Sequence, residues 1–376
     1  MSPFAGRATL GHLTLKETVF KTAKRIGAFA LVRDSEWRRQ RLLILCYHGV
    51  SLRDEHEWNR ALYVTPELLR ARLRHLRERD YAILPLDDAC RLLREGRLPP
   101  RSVALTFDDA TVDFGEAALP VLVEFGAPAT LYLSSYYISV RLPVFNTMLS
   151  YVLWKGRDSG GDIAAICASA APLPVATQGQ RDGAYRAVCA HAAAGSLDAV
   201  AKDALVARIA SHLGVNYDEV LASGVLQLMT AASVAALPSD LISVQLHTHR
   251  HWVPRDKRLF ARELVENAAK IREMRGDADP LTHFSYPNGE YRGQLLPWLR
   301  EFGVHYATTC VPGIASAQDE PLLLPRFVDS GGHSMTTFEA WASGFAALLP
   351  RRRIHRLDLR VLDTNASRTD EHGDVS

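Results

Sequence analysis

From residue 42 onward, short unbroken apolar runs alternate with longer stretches in which apolar positions recur every three or four residues. Residues 42–47 read as a buried strand ending at His48-Gly49. Thr65-Pro66-Glu67 opens a helix: Thr65 suits the N-cap, Pro66 suits the first helical position, and Leu68, Leu69, Leu73 and Leu76 follow at helical spacing. A strand is expected at 82–84, a helix from 86 to about 96, and a break at Pro99-Pro100. A buried strand over 102–107 is then stopped by Asp108-Asp109, and a helix over 115–125 leads through Gly126-Ala127-Pro128 to a strand over 129–133. Such alternation predicts parallel strands joined by crossover helices.

The rhythm breaks between 137 and 238, a segment with alanine runs and polar loops that reads as several helices inserted into the main domain. It resumes with strands at 241–246, 283–286 and 306–308 and helices at 259–275 and 294–302. The expected organisation is an N-terminal helical segment (1–40), an α/β domain (41–350) interrupted by that insertion, and a basic, then polar, tail (351–376) without fixed structure.

Composition narrows the function classes. Of 376 residues, 47% are apolar and 23% charged, ordinary values for a globular chain. A net charge of +2 supplies no basic excess for neutralising phosphates, so nucleic acid is not an expected partner. The basic clusters Arg38-Arg39-Gln40-Arg41 and Arg351-Arg352-Arg353 read as solvated faces or termini. Five widely spaced cysteines with no CxxC pair form neither a disulfide framework nor a cysteine zinc site, which points to reduced thiols and a cytoplasmic setting. Lys16, Lys21, Lys24 and Arg25 interrupt the pattern of a secretory signal. The same stretch carries Leu15, Val19, Ala23, Ile26 and Ala30 at helical spacing. Such a helix docks on the protein's own body or, as the second reading, lies on a membrane surface.

Two constellations carry candidate chemistry. Asp108-Asp109 closes a buried strand, where functional groups gather in alternating βα folds. Adjacent carboxylates repel unless a cation is near or one is protonated; the competing reading is a pair of helix N-cap acids. His247-Thr248-His249-Arg250-His251 follows the strand at 241–246. His247 and His251, four apart, share a face if the segment turns helically, and neutral imidazole is a common zinc ligand; the competing reading is an exposed polar loop. Asp109, His247 and His251 together make three protein ligands with a position left open, the arrangement of a catalytic metal site. Asp108 is then placed to take a proton from water. His249 is left out of the ligand set.

These segments resemble the motifs of the polysaccharide deacetylases of carbohydrate esterase family 4. Thr106-Phe107-Asp108-Asp109 looks like the first motif, His247-Thr248-x-x-His251 the second, and Phe284-Ser285-Tyr286-Pro287-Asn288-Gly289 the third, a resemblance covering about 42–330. It implies a distorted (β/α)7 barrel and hydrolysis of an N-acetyl amide on a carbohydrate. It also implies Asp108 as base, Asp109, His247 and His251 as ligands to a divalent metal, and Thr248 as a brace for the histidine loop. The backbone N–H of Asn288 would help hold the oxyanion, with Tyr286 and Trp252 beside the substrate.

The chain departs from the pattern in two places. The family's third motif carries an arginine where Ser285 stands, and Arg326, in Leu324-Pro325-Arg326, is the candidate to orient Asp108 instead. The family's late Leu-x-His acid is missing. A permuted branch, which includes deacetylases of biofilm poly-N-acetylglucosamine, instead carries an early strand ending in Tyr-His, and Tyr47-His48 matches it. His48 is therefore the expected acid, with His333 the runner-up. Tyr136, Tyr137, Phe145 and Trp154 are candidates for a substrate wall as well as for plain core. The expected activity is N-deacetylation of an amino-sugar oligo- or polysaccharide or its lipid-linked precursor. The alternatives are removal of another small acyl group such as formyl, or a sugar-binding relative without catalysis. Zinc suits the ligand set best, though nickel and cobalt suit it too.

Overall fold

The computed structural model describes residues 10–140, 142–276 and 280–350. Seven parallel strands form the body: β1 (Arg41–Tyr47), β2 (Ser102–Asp109), β3 (Ala129–Leu133), β4 (Ile242–Leu246), β5 (His283–Ser285), β6 (Tyr306–Thr308) and β7 (Phe327–Val328). β1 to β6 lie side by side in chain order, and β7 pairs with β1 on its other side. The Leu324 N–H donates to Ala307 O (2.9 Å) and the Thr309 N–H to Leu324 O (2.9 Å), so the segment entering β7 is held against β6 and the sheet curls round as the barrel expectation requires.

These strands are nearly continuous apolar runs because helices cover the outer face and side chains fill the inner one. The crossover helices are α1 (Pro66–Glu78), α2 (Leu86–Arg94), α3 (Leu119–Phe125), α4 (Lys257–Arg275) and α5 (Leu295–Phe302). Thr65 caps the first of them, accepting from the Leu68 N–H at 3.1 Å. β2 runs two residues further than expected. Asp108 and Asp109 pair in register with Tyr132 and Leu133, so the neighbouring strand carries the backbone past the point where side-chain polarity announced a stop.

Residues 136–235 are mainly helical and build a hydrophobic cluster of their own, centred on Met148, Leu149, Val152, Ile209 and Val220. Its end is stitched back to the barrel. The Val112 N–H donates to Gln227 O (2.8 Å) and the Met229 N–H to Ala110 O (3.0 Å), beside a Thr111–Leu228 bridge.

The N-terminal helices (Leu10–Arg25 and Ala28–Arg33) pack Phe20, Ala23 and Phe29 against Ala340 and Ala346 near the chain's end. The contacting stripe differs from the expected one. Leu15, Val19, Ile26 and Ala30 face solvent, because a left-handed Gly27 breaks the helix and the Phe20–Phe29–Phe345 ring cluster chooses the face. No helix among the described residues is long and apolar enough to cross a membrane. All five cysteines are free. Residues 351–376, expected to lack fixed structure, lie outside the described residues.

Candidate active site

The site lies at the C-terminal ends of β1, β2, β4 and β5, where the loops leave the sheet. Asp109 Oδ1 is 3.3 Å from His247 Nε2 and 3.1 Å from His251 Nε2. Oδ1 is buried and has no hydrogen-bond donor. An acceptor without a donor, aimed at two imidazole nitrogens, fits a divalent cation. Donor atoms roughly 2.0–2.2 Å from a zinc ion stand at about these mutual separations in a tetrahedral set. Burial works against the Asp109 charge, but His251 and His247 outweigh it and hold the carboxyl well below its ordinary range.

The loop geometry that assembles this trio is not helical. His247 to His251 form an irregular turn in which Thr248 (φ +60°) and His251 (φ +56°) adopt left-handed backbone, and Asp109 (φ +77°) and Ala110 (φ +61°) do the same. Such conformations cost free energy in non-glycine residues and persist where the surroundings impose them. Here the surroundings are identifiable. Asn267, fully buried on α4, accepts from the His247 N–H (3.0 Å) and donates to Leu133 O and Ser135 Oγ (both 2.9 Å). Glu263, one turn earlier, accepts from the Arg250 N–H at 2.7 Å, and Thr248 Oγ1 accepts from the Trp252 N–H at 3.1 Å. His247 Nδ1 lies 2.8 Å from Ser285 O; the carbonyl accepts a hydrogen bond from Nδ1–H, which leaves the Nε2 lone pair free for a ligand role. His249 turns away, with Nδ1 2.8 Å from Ser135 Oγ.

Asp108 is 3% exposed and sits beside the trio. Arg326, fully buried, donates to both its oxygens, Nη1 to Oδ1 and Nη2 to Oδ2, each at 2.7 Å. The guanidinium also donates to Thr309 O (3.0 Å), Thr106 Oγ1 (3.1 Å) and Ser285 Oγ (3.0 Å). Ser285 in turn donates to Asp108 Oδ2 at 3.3 Å. A small residue at 285 thus leaves room for an arginine arriving from the neighbourhood of β7. Burial raises the Asp108 pKa, and Arg326 more than offsets it, bringing the group to about 2. His48 Nε2 stands 3.9 Å from Asp108 Oδ2 and shares a pocket with Asp109 and His251. Gly49 follows because a Cβ there would collide with the Tyr63 ring.

Other expected residues fall elsewhere. Tyr286 is buried, its hydroxyl donating to Leu322 O at 2.9 Å, so its side chain faces the core rather than the pocket. Asn288 is exposed at φ +56°, and Trp252 is half exposed beside His251. His333 leans on Asp329 (3.5 Å) and the Phe327 ring, and the pocket lining does not include it. Tyr137 lines the pocket, whereas Phe145 and Trp154 pack against the helical region's own cluster.

Sequence reasoning missed Asn267, Glu263 and Ser135, which carry no motif, and two thiols beside the Asp108–Arg326 pair. Cys46 Sγ lies 3.9 Å from Asp108 Oδ2, and Cys310 Sγ accepts from Arg326 at 3.6 Å. Cys46, His48 and Asp108 converge closely enough to suggest a second cation site. Both Asp108 oxygens are already engaged by Arg326, however, and its charge opposes a cation there.

Two histidines and one aspartate that could hold a cation, with a carboxylate–arginine pair beside them, thus converge on a curled parallel sheet. Residues 95–151, which include β2 and the Asp108-Asp109 pair, match the family model described as polysaccharide deacetylase. Among solved structures, the deacetylase PplD from Streptococcus pyogenes, solved in complex with acetate, aligns with a TM-score of 0.53 at 18% identity over 82% of this chain and 99% of its own. IcaB from Ammonifex degensii aligns with a TM-score of 0.50 at 18% identity over 81% and 97%. At such identities the likeness is one of fold. No curated protein sequence matches. The matched segment holds the Asp108-Asp109 strand, and the fold of the whole barrel is similar to that of these deacetylases.

Proposed function

We propose that the protein removes the N-acetyl group of an amino-sugar-containing carbohydrate by hydrolysis, with Asp109, His247 and His251 holding a divalent cation, zinc by preference. The observation that carries this reading is the buried, donorless Asp109 Oδ1 facing two imidazole Nε2 atoms at 3.1–3.3 Å, next to a second carboxylate kept ionised by its own arginine. A cation bound there supplies Lewis-acid activation of water and of the amide carbonyl. Asp108 takes the proton that water gives up. Arg326 fixes both its oxygens and keeps the base charged, at the cost of lowering its basicity. His48, across from Asp108, gives a proton to the departing amine. The backbone at Asn288 offers an N–H toward the developing oxyanion. A site that only bound sugar would have no use for a buried carboxylate–arginine pair beside a cation triad, which disfavours the catalytically silent alternative.

Release of acetate from N-acetylated chitooligosaccharides tests the reading, with metal-loaded protein, chelated protein and the Asp108→Asn and His48→Ala variants compared. Chelation is expected to abolish turnover, Asp108→Asn to lower kcat by a factor of about 100 or more, and His48→Ala by a similar factor. Full activity after complete metal removal sinks the cation's role, and full activity of Asp108→Asn sinks the base assignment. Release of formate but not acetate from matched substrates would favour the deformylase alternative.

A further inference from the structure

Two thiols stand inside the candidate site and have no part in the proposed hydrolysis. Cys46, one residue before the end of β1, is fully buried, and its Sγ lies 3.9 Å from Asp108 Oδ2 and 4.0 Å from His48 Nδ1. Cys310, two residues past β6, is half-buried, and its Sγ accepts from Arg326 Nη2 at 3.6 Å. Cys310 also backs onto the turn after β5: Gly289 adopts φ +68°, and a Cβ there would come within 3.2 Å of the Cys310 Cβ. The two thiols share a hydrogen bond with each other. One therefore touches the base and the acid, and the other touches the arginine that holds the base. The remaining cysteines belong elsewhere, Cys90 to an apolar cluster with Leu42 and Leu86, and Cys167 and Cys189 to the cluster of the helical region.

Packing alone does not call for sulfur at these two positions. A thiol is a weak donor and a weak acceptor, and a serine hydroxyl would serve Asp108 and Arg326 better. What sets sulfur apart is its reactivity. The two thiols differ in the way that reactivity needs. The hydrogen bond with Cys46, then the Arg326 and His48 charges, hold the Cys310 thiol well below its ordinary pKa against the effect of burial, while burial pushes Cys46 up. Cys310 is thus the thiolate, partly open to solvent, and Cys46 the protonated thiol behind it. A disulfide needs its sulfurs at about 2.05 Å and its Cβ atoms roughly 3.5–4.5 Å apart. Closing one here draws the end of β1 toward the segment after β6 and takes the sulfur's negative charge away from Arg326.

We infer that Cys46 and Cys310 are a modification site for hydrogen peroxide, which joins them in a disulfide that disables the site around Asp108. The Cys310 thiolate attacks one peroxide oxygen and breaks the O–O bond, forming a sulfenic acid and releasing hydroxide, which takes up a proton as water. Cys46 Sγ then attacks the Cys310 sulfur, and the sulfenic oxygen leaves with the Cys46 proton as a second water. Peroxide is reduced by two electrons and the two thiols supply them. The bond is independent of the proposed hydrolysis; only its effect on turnover rests on that reading. The test treats reduced, metal-loaded protein with hydrogen peroxide, removes the excess with catalase, and counts thiols after unfolding. Two of the five thiols are expected to disappear with a mass loss of two hydrogen atoms, and peptide mapping is expected to find Cys46 joined to Cys310. Cys310→Ser should lose neither thiol nor mass, and Cys46→Ser should stop at a sulfenic acid that dimedone traps. Acetate release by the parent should fall at least about tenfold on oxidation, as misplacement of the base requires, and return with a phosphine reductant. Five thiols surviving, a bond between other cysteines, or Cys310 oxidised further while Cys46 stays free overturns the site. A disulfide formed without loss of turnover overturns its effect on the base. If the reduced protein releases no acetate at all, the deacetylase reading falls, and the thiol count and peptide map still judge the pair.

Discussion

Replacing Arg326 with methionine removes the guanidinium that donates to both oxygens of the buried Asp108 carboxylate and tests the site's electrostatics independently of any substrate. Arg326 is fully buried and Asp108 is 3% exposed, so solvent cannot take over the charge. Breaking such a pair from one side costs about 3–5 kcal/mol, because an uncompensated charge stays behind. The pKa gives a consistent figure. Asp108 stands at about 2, and moving a carboxyl from there to its ordinary value forfeits a few kcal/mol of stability at neutral pH, on the order of 3. The pH dependence has a definite sign. With Arg326 in place the carboxyl binds its proton less readily in the folded state, so its stabilisation is complete above about pH 4 and is lost as pH falls toward 2. Without Arg326, burial raises the folded-state pKa and stability instead declines as pH rises above about 4. Urea unfolding at pH 7 and pH 4 should therefore show a larger loss for Arg326→Met at pH 7. Adding Asp108→Asn to Arg326→Met should recover much of it, since the amide carries no charge. An Arg326→Met protein within about 1 kcal/mol of the parent at pH 7 would refute the reasoning, as would a double variant no more stable than the single one.

Three further outcomes are expected. Asp113 is buried and its pKa is raised to about 7 by that burial, although the Val50 N–H donates to it at 2.6 Å; stability then falls between about pH 4 and pH 7, and Asp113→Asn should raise Tm more at pH 8 than at pH 5. Asn267→Ala strands the His247 N–H and Leu133 O together, and urea unfolding should register a loss of at least about 2 kcal/mol. His251→Ala should purify with little bound metal by elemental analysis while His249→Ala keeps it; equal metal contents in the two would remove His251 from the ligand set.

Much of the barrel was legible because its signal is local. The strand at Tyr306–Thr308 and the capped helix beginning at Pro66 follow from short-range apolar pattern and turn chemistry. β7 was missed, since Phe327–Val328 is too short to show a period and is a strand only because β1 lies beside it. The N-terminal stripe was misassigned for a related reason: periodicity marks a helix but does not say which of two apolar faces meets a partner, and the Phe20–Phe29–Phe345 contact decides that.

The same division runs through the site. The residue types and order of Asp108, Asp109, His247 and His251 point to the proposed metal-assisted hydrolysis, because few other chemistries call for those groups at strand ends of one sheet. The sequence alone also supplied Arg326 as a candidate partner for Asp108. Only the tertiary structure brings that arginine 218 positions along the chain to within 2.7 Å of both carboxylate oxygens. It also replaces the expected helical turn at 247–251 with an irregular loop, left-handed at Thr248 and His251 and braced by Asn267 and Glu263, and it gathers Tyr63, Val144, Leu226 and Leu228 into the same pocket as Asp109 and His251. Ligand identity is a property of side chains and can be read one residue at a time. Ligand geometry, base orientation and pocket shape depend on contacts between segments whose separation in the chain carries no local signal, so they appear only when the sheet has curled and the helical region has closed over it.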